Sequence, residues 1–541
     1  MAKAGSIWGQ TWHKLWNKIW GKGSDAVPHW LRYVLLGLLL LGIFFRFYHL
    51  DYKVYWVDEA HTSLRMSGHT KTELEQEVFS QTTVSVDRLQ QYQHLSPDRG
   101  WDATLNSLQG NAEHAPLYFL LSRLWVEGFG YSVAVMRSLP ALISLLVFPA
   151  IGWLCWELFG SARVAWVAVG LVAISPLHVL YAQEARPYSL WTAMILLSSA
   201  VLLRAMRQSA RWKWMIYSLI VAIGLYTQLL FSLVAMAHGL YVLLVEVIPK
   251  RRFSQTAISY AIATTAAFLA FVPWLLVLFG NLEQTQQTIG ALAERESFSY
   301  LLNQWFSNAS LILFDRNLNS LNIISVLLIV AALVSFCRIA TGPVRVFILS
   351  LIGVSTLALV IPDLVLGGER SIRLRYFFPA ILGIQIILAY LFSTQAIRPR
   401  SWTQWTWRVV AIGLVSVGIT ACLVSSQSQI WWSKNPPRSA YYPEVAQLIN
   451  QTNQPLIITQ GPVVDMVAFS YWLDSDVSFQ FVDRPNQIKI PAGINTVFLL
   501  NPSRRMLNQL PKQGYQLTLL FEDNVDGGKM EKRLWSIRRL D

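Results

Sequence analysis

Tyr55-Trp56-Val57-Asp58-Glu59-Ala60 follows, after about ten residues, the first strongly apolar run of the chain, Tyr33 to Phe47. A run of that kind reads as a membrane span. Tyr55 and Trp56 then hold the Asp58-Glu59 pair at headgroup level, where aromatic side chains settle. Carboxylates at such a depth are costly and usually functional. An Asp-Glu pair just past a span is ordinarily a solvated loop end, but Trp56 and the apolar flanks argue against free solvation here. The chain is therefore read as a membrane scaffold that holds other polar groups against this pair.

The bulk numbers agree. The chain has 541 residues, 54% hydrophobic and 14% charged, with a mean hydropathy of +0.39. Ordinary soluble domains are about 45–50% apolar. The formal charge of +13 does not point to nucleic acid, because the basic residues lie in short loops between apolar runs. Cys155, Cys337 and Cys422 all sit in or beside apolar runs, without disulfide or metal-type spacing.

Runs long enough for about 30 Å of hydrocarbon predict eleven spans, at 30–49, 132–156, 163–180, 187–203, 213–227, 229–248, 256–279, 320–337, 344–362, 375–393 and 407–426. The fifth and sixth are divided only by Thr227-Gln228. With the N-terminus inside, the inner segments hold Lys14, Lys18, Lys22 and Arg32; Arg163; Arg204, Arg207, Arg211 and Lys213; Lys250, Arg251 and Arg252; Arg338 and Arg345; Arg398, Arg400 and Arg408. That is the positive-inside pattern, and an odd span count puts the C-terminus outside. Residues 1–28 carry Trp8, Trp12, Trp16 and Trp20 with interleaved lysines, which predicts an amphipathic helix lying on the membrane surface.

The expected architecture is mainly α. A polytopic transmembrane bundle covers 29–426, with a large first outer loop at 51–131 and a second at 280–319. A small soluble α/β domain occupies 427–541 on the outer face, from β-rich runs at 456–459, 477–482, 496–500, 516–521 and 533–537 alternating with helical patterns. Gly461-Pro462 and Gly527-Gly528 read as turns.

Four polar groups land on the outer side. Asp58-Glu59 has His61 close by. His114-Ala115-Pro116-Leu117-Tyr118 read alone is a helix start. Tyr181-Ala182-Gln183-Glu184-Ala185-Arg186-Pro187-Tyr188 is a tight turn in which Glu184 and Arg186 form either an internal salt bridge or part of a site. Pro187 suits the first turn of a helix, and its N-terminus beside Arg186 can take an anion. Arg370, Arg373 and Arg375 oppose the topogenic trend: either they pair with Asp363, Glu369 or headgroups, or they hold a phosphate. The chemistry suggested is transfer at an electrophilic carbon with a lipid phosphate leaving. A carboxylate takes the proton of the nucleophile, and cations with helix N–H groups stabilise the phosphate.

The ordered set resembles the GT-C membrane glycosyltransferases, nearest the protein O-mannosyltransferase and lipid A aminoarabinose transferase branch (glycosyltransferase family 39-like). It consists of Asp58-Glu59 after the first span, the His114-to-Tyr118 segment, Gln183-Glu184-Ala185-Arg186-Pro187-Tyr188, and Arg375-Tyr376-Phe377-Phe378-Pro379, and it covers about residues 30–400. The resemblance implies a polyprenyl-phosphate-linked sugar donor and an inverting single displacement. Asp58 then matches the catalytic carboxylate and Glu59 its neighbour. Arg186, Arg373 and Arg375 take the donor phosphate, and His114, Tyr118, Glu184 and Tyr188 bind substrate. Some relatives use a divalent metal near this loop and others do not; Asp58, Glu59 and His61 are the candidate ligands, and no other cofactor is implied. The chain departs from the pattern in a longer, Gln-rich insertion between Glu59 and His114, and in Ala115 where proline is common. The acceptor is left open as lipid, glycan or protein. The expected location is the plasma (inner) membrane with the catalytic face outside. Two other readings share the scaffold: a flippase-like transporter that binds lipid-linked glycans without chemistry, and an oligosaccharide ligase or polymerase. Transporters place ionisable groups near the midplane; here the carboxylates gather at the interface.

Overall fold

The computed structural model describes residues 20–21, 25–282, 296–397, 400–491, 493–494, 496–525 and 529–540. The N-terminal amphipathic helix and the Gly527-Gly528 turn lie outside these. The chain divides into two compact units, one of residues 1–48, 111–118 and 140–426, the other of 49–110, 119–139 and 427–541.

Every one of the eleven predicted spans falls on helix, and all but the start of the second, 132–139, and the last residue of the first belong to the first unit. Eight are long and apolar enough to cross a membrane, and a ninth is a pair, Ala162–Ala173 and Pro176–Ala182, bent by 60°. The remaining two, Arg211–Thr227 and Phe231–Val247, are shorter, because Gln228 breaks what would otherwise be continuous helix. The chain is a multi-pass membrane protein.

The 60° bend has a local cause. Pro176 has no N–H to give the carbonyl of Val172, four residues earlier. Arg46, buried on the first span, supplies donors instead: Nη2 to Val172 O at 3.1 Å and Nη1 to Ala173 O at 2.7 Å. Gly42 allows the approach, since a Cβ there would run into the Ala173 backbone. Gln183 Nε2, just past the bent pair, donates to Phe45 O at 2.7 Å and Tyr48 O at 2.8 Å. The bend and the end of the first span are thus tied together, and the turn at 183–188 is held from both sides.

The second predicted outer loop is partly helix, Phe298–Phe314. Trp305 Nε1 donates to Ser371 Oγ at 3.0 Å, and Asn308 Nδ2 to Ile372 O at 2.9 Å. That helix clamps the arginine-bearing segment before the Phe378–Leu391 helix.

The second unit is built on a six-stranded sheet. Its strands are β1 (Val84–Ser85), β2 (Leu456–Thr459), β3 (Ser478–Phe481), β4 (Val497–Leu500), β5 (Tyr515–Val525) and β6 (Lys529–Arg539), in the order β1-β3-β2-β4-β6-β5. β3, β2 and β4 run parallel; β1, β6 and β5 are antiparallel to their neighbours. Side chains alternate across a strand. Leu456 and Ile458 therefore face one core with Val497, Leu499 and Met506. Ile457 faces the other with Phe479, Phe498 and the helix Val463–Phe469.

That second core also takes in much of the segment expected as a loop at 51–131. It folds into helices Val57–Met66, Lys71–Ser80, Val86–Gln91, Trp101–Gln109 and Leu117–Phe129. Val54, Ala60, Leu64, Leu74, Val78, Val86 and Leu89 from this segment are buried among the residues of β3 and β4. Val86 N donates to Val477 O at 3.1 Å, and Gln480 Nε2 to Thr82 O at 3.0 Å. The module drawn at 427–541 from sequence is accordingly one of three segments of a unit, because β1 completes its sheet and the loop helices cover one face.

Candidate functional site

The 55–66 segment is placed by its own hydrogen bonds. Trp56 immediately precedes the helix Val57–Met66, its carbonyl accepting from Glu59 N and Ala60 N, and Asp58 and Glu59 sit in the first turn, where negative charge suits the helix dipole. Successive helical residues point about 100° apart. The two adjacent carboxylates therefore face different surroundings.

Glu59 faces inward and is fully buried. Arg137 Nε meets Glu59 Oε1 at 2.8 Å, and Arg137 Nη2 meets Oε2 at 2.7 Å. Lys434 Nζ reaches Oε2 at 3.0 Å. The same guanidinium donates to Leu50 O, Lys53 O and Val54 O at 2.8, 2.9 and 2.8 Å. Tyr55 Oη donates to the Glu59 carbonyl at 3.0 Å. Burial, first of all, pushes the Tyr55 hydroxyl well above its ordinary value, with the charges of Tyr471 and Glu59 adding to it. This hydroxyl stays protonated and remains a donor.

Asp58 is partly exposed. Its charge acts on two groups of the C-terminal segment, Arg438 and Asp465, which form an ion pair with each other. Burial pushes the Asp465 carboxyl up; Arg438 pulls it the other way, and the negative charge of Asp58 adds to the rise. Asp58 thus belongs to a small field of alternating charge.

A divalent metal needs several hard ligands. Glu59 does not fit that role, since both its oxygens already face cations. Among the described residues no three His, Cys, Asp or Glu side chains converge. Asp58 and the partly exposed His61, one helical turn on, are what is left of the predicted ligand set.

The other predicted residues lie in the first unit. In the turn 181–188, Glu184, Arg186 and Tyr188 are all buried. Tyr181, Tyr188 and Trp191 pack on Phe378, with ring centroids 5.3, 6.0 and 5.6 Å away. Phe378 belongs to the Arg375-to-Pro379 segment, so two of the four predicted groups are brought together through one ring. Of the three cations near 370, Arg370 pairs with Asp363 at 3.1 Å and Arg373 with Glu369 at 2.6 Å. These are the local salt bridges weighed from sequence. The Arg375 guanidinium stands 5.9 Å from the Tyr376 ring. His114 Nε2 lies 3.8 Å from Glu113 Oε1, and Tyr118 is fully buried.

Sequence reasoning missed Arg137, Lys434, Arg438 and Asp465. Arg137 had a signal: a cation near the outer end of the predicted span 132–156 opposes the positive-inside trend as Arg370–Arg375 do, and charges inside spans are functional by default. Lys434 and the Arg438–Asp465 pair had none, because their partners are hundreds of residues away or carried on a different element.

A bent-helix membrane bundle joined to an α/β unit that carries the Asp58-Glu59 pair is the GT-C fold of membrane enzymes. The particular likeness is to ArnT from Cupriavidus metallidurans. Its structure bound to undecaprenyl phosphate matches with a TM-score of 0.51 and 13% identity, over 94% of this chain and 98% of that one. The apo structure matches with the same score and identity, over 94% and 97%. AglB from Archaeoglobus fulgidus, solved with an inhibitory peptide and a dolichol-phosphate, matches with a TM-score of 0.47 and 11% identity, over 93% and 74%. No protein-family model matches the sequence, and no curated protein matches it at a significant level.

Proposed function

We propose that the chain is a membrane glycosyltransferase that moves a sugar from a polyprenyl-phosphate-linked donor to an acceptor at the outer face of the inner membrane. The observation that carries this is the pair of carboxylates in a GT-C fold: Glu59 is neutralised in a buried cage, while its neighbour Asp58 is kept partly exposed. In this reading the partly exposed carboxylate does the chemistry and the buried one holds it in place.

In the proposed reaction Asp58 accepts the proton of the acceptor nucleophile. The nucleophile bonds to the anomeric carbon, the carbon–oxygen bond to the phosphate breaks, and the lipid phosphate leaves with the electron pair. A single displacement inverts the anomeric configuration. Arg375, Arg186 and Arg373 stabilise the departing phosphate, Arg375 first, since it directly precedes the Phe378–Leu391 helix and matches the Arg-Tyr position of the resemblance. His114 and Tyr118 complete the substrate contacts. Glu184 and Tyr188, both buried, belong to the same substrate-binding set. Where a metal is used, Asp58 and His61 are its remaining candidates, and it would supply Lewis-acid stabilisation of the phosphate.

The test compares envelope glycolipids, glycans and proteins by mass spectrometry in cells with and without the gene, followed by transfer from a polyprenyl-phosphate sugar to the species that changes. A sugar-sized mass difference and an inverted anomeric linkage are expected. An unchanged envelope, with lipid-linked glycan piling up on one leaflet only, would instead establish the transporter reading.

A further inference from the structure

We propose that the second unit carries a separate site for a phosphorylated sugar, at the carboxyl edge of its parallel strands. A cavity of about 370 Å³ is lined by Arg484, Asn486, Arg505, Gln509, Lys512 and Gln513, with Pro485. The proposal stands on this cavity and does not rest on the catalytic reading of Asp58.

Its place in the fold is the first argument. β2 lies between β3 and β4, both parallel to it. The chain leaves β2 to reach β3 on one side, then crosses to β4 on the other. In open α/β sheets, ligands bind outside the carboxyl ends of the strands, at such a reversal. Arg484 and Asn486 follow the carboxyl end of β3, and Arg505 and Gln509 follow that of β4. Gln460, just past β2, stitches the two connections together. Its Nε2 donates to Asp483 O at 2.9 Å, and its Oε1 accepts from Ser503 N at 3.1 Å. The loops that bear the cations are therefore held in place before any ligand arrives.

The lining is the second argument. Three cations surround one cavity, and no carboxylate lines it. Among the described residues none of the three is in an ion pair. Like charges so grouped repel one another, and an anion relieves that repulsion. Two guanidinium forks favour a phosphate, which they meet with paired N–H donors. Asn486, Gln509 and Gln513 add amide donors and acceptors that suit hydroxyl groups. The volume is at the small end of ligand pockets, roughly 300–1,000 Å³, and suits a monosaccharide phosphate.

The test is equilibrium dialysis of the purified full-length protein in neutral detergent with radiolabelled glucose 1-phosphate. One saturable site is expected that free glucose does not compete for and that inorganic phosphate competes for more weakly. The Arg484→Ser/Arg505→Ser/Lys512→Ser variant should bind at least about tenfold more weakly. Arg504→Ser, next to the cavity but outside its lining, should bind as the parent does. All three substituted side chains are exposed, and an unchanged thermal transition confirms that the variant is folded. Equal binding by parent and triple variant would overturn the site. Inorganic phosphate competing as well as the sugar phosphate would overturn the sugar assignment. Nanodiscs containing phosphatidylglycerol competing better than either would overturn it in favour of a membrane-facing patch.

Discussion

Arg137 grips Glu59 through two parallel hydrogen bonds, Nε to Oε1 at 2.8 Å and Nη2 to Oε2 at 2.7 Å, with neither side chain exposed to solvent. One guanidinium thereby joins the helix that carries Asp58 to the backbone at Leu50, Lys53 and Val54. Removing one partner of a buried pair leaves the other charge stranded, at a cost of about 3–5 kcal/mol. Glu59→Gln should therefore destabilise the second unit by roughly that amount. Arg137→Lys keeps the charge but loses the fork, and should fall between parent and Arg137→Ala. Protease resistance and hydrogen exchange of residues 49–110 measure this. Full protection in Glu59→Gln would show that the cage is not what holds the helix.

Asp58→Asn keeps the shape and hydrogen bonding of the side chain but cannot take a proton. Removing a general base costs about 10²–10⁴-fold in rate. The variant is expected to lose sugar transfer to that extent while it folds and binds donor as the parent does. Purified Asp58→Asn protein transferring sugar at close to the parent rate would end the mechanism proposed for this chain.

Arg375→Lys retains a cation beside Tyr376 but not the planar fork, so binding of polyprenyl phosphate should weaken. Alanine at Arg186, Arg373 and Arg375 together should abolish it. Arg375→Ala alone should matter most of the three. Donor binding unaffected by the triple change would remove these residues from the phosphate site.

His69 gives a pH dependence. Burial, and then the charge of Arg99, pull its pKa from 6.5 down to about 4, against Glu73. The folded state thus prefers the neutral ring. The sign follows: the contribution is intact above about pH 6.5 and is lost as pH falls from there through 4. Helices 71–80 and 101–109 should open more readily over that window, and His69→Gln should flatten the trend. Hydrogen exchange at pH 7 and pH 5 decides it; a slope unchanged by the substitution would place the titration elsewhere.

The orientation rests on the cationic loops. A reporter active only outside the cytoplasm should be active when fused after Gln427 and inactive when fused after Arg252. The reverse pair of results would put Asp58 on the cytoplasmic side and remove the outer-face reading.

How much of this the amino-acid order settles depends on the range of the interaction. Hydropathy is local, so all eleven apolar runs are legible as helix, and Pro176 marks the bend within one of them. Strand alternation is also local, and the five runs after residue 455 emerge as β2 to β6. The Asp58-Glu59 pair is visible as a candidate site because a carboxylate pair beside a span is chemically out of place.

What only the tertiary structure decided is how differently the two adjacent acids are placed, Glu59 buried between two cations and Asp58 partly exposed. Glu59 meets Arg137 across 78 residues and Lys434 across 375. No periodicity or spacing encodes such partners, since they are set by how the chain closes on itself. The same holds for the loop 51–131. Its Gln-rich composition suggests a solvated excursion, yet its few apolar residues, Leu74, Val78, Val84, Val86 and Leu89, are spaced to cover one face of a sheet whose other strands lie nearly 400 residues later. Burying that face removes apolar surface from water and joins the two segments into one unit.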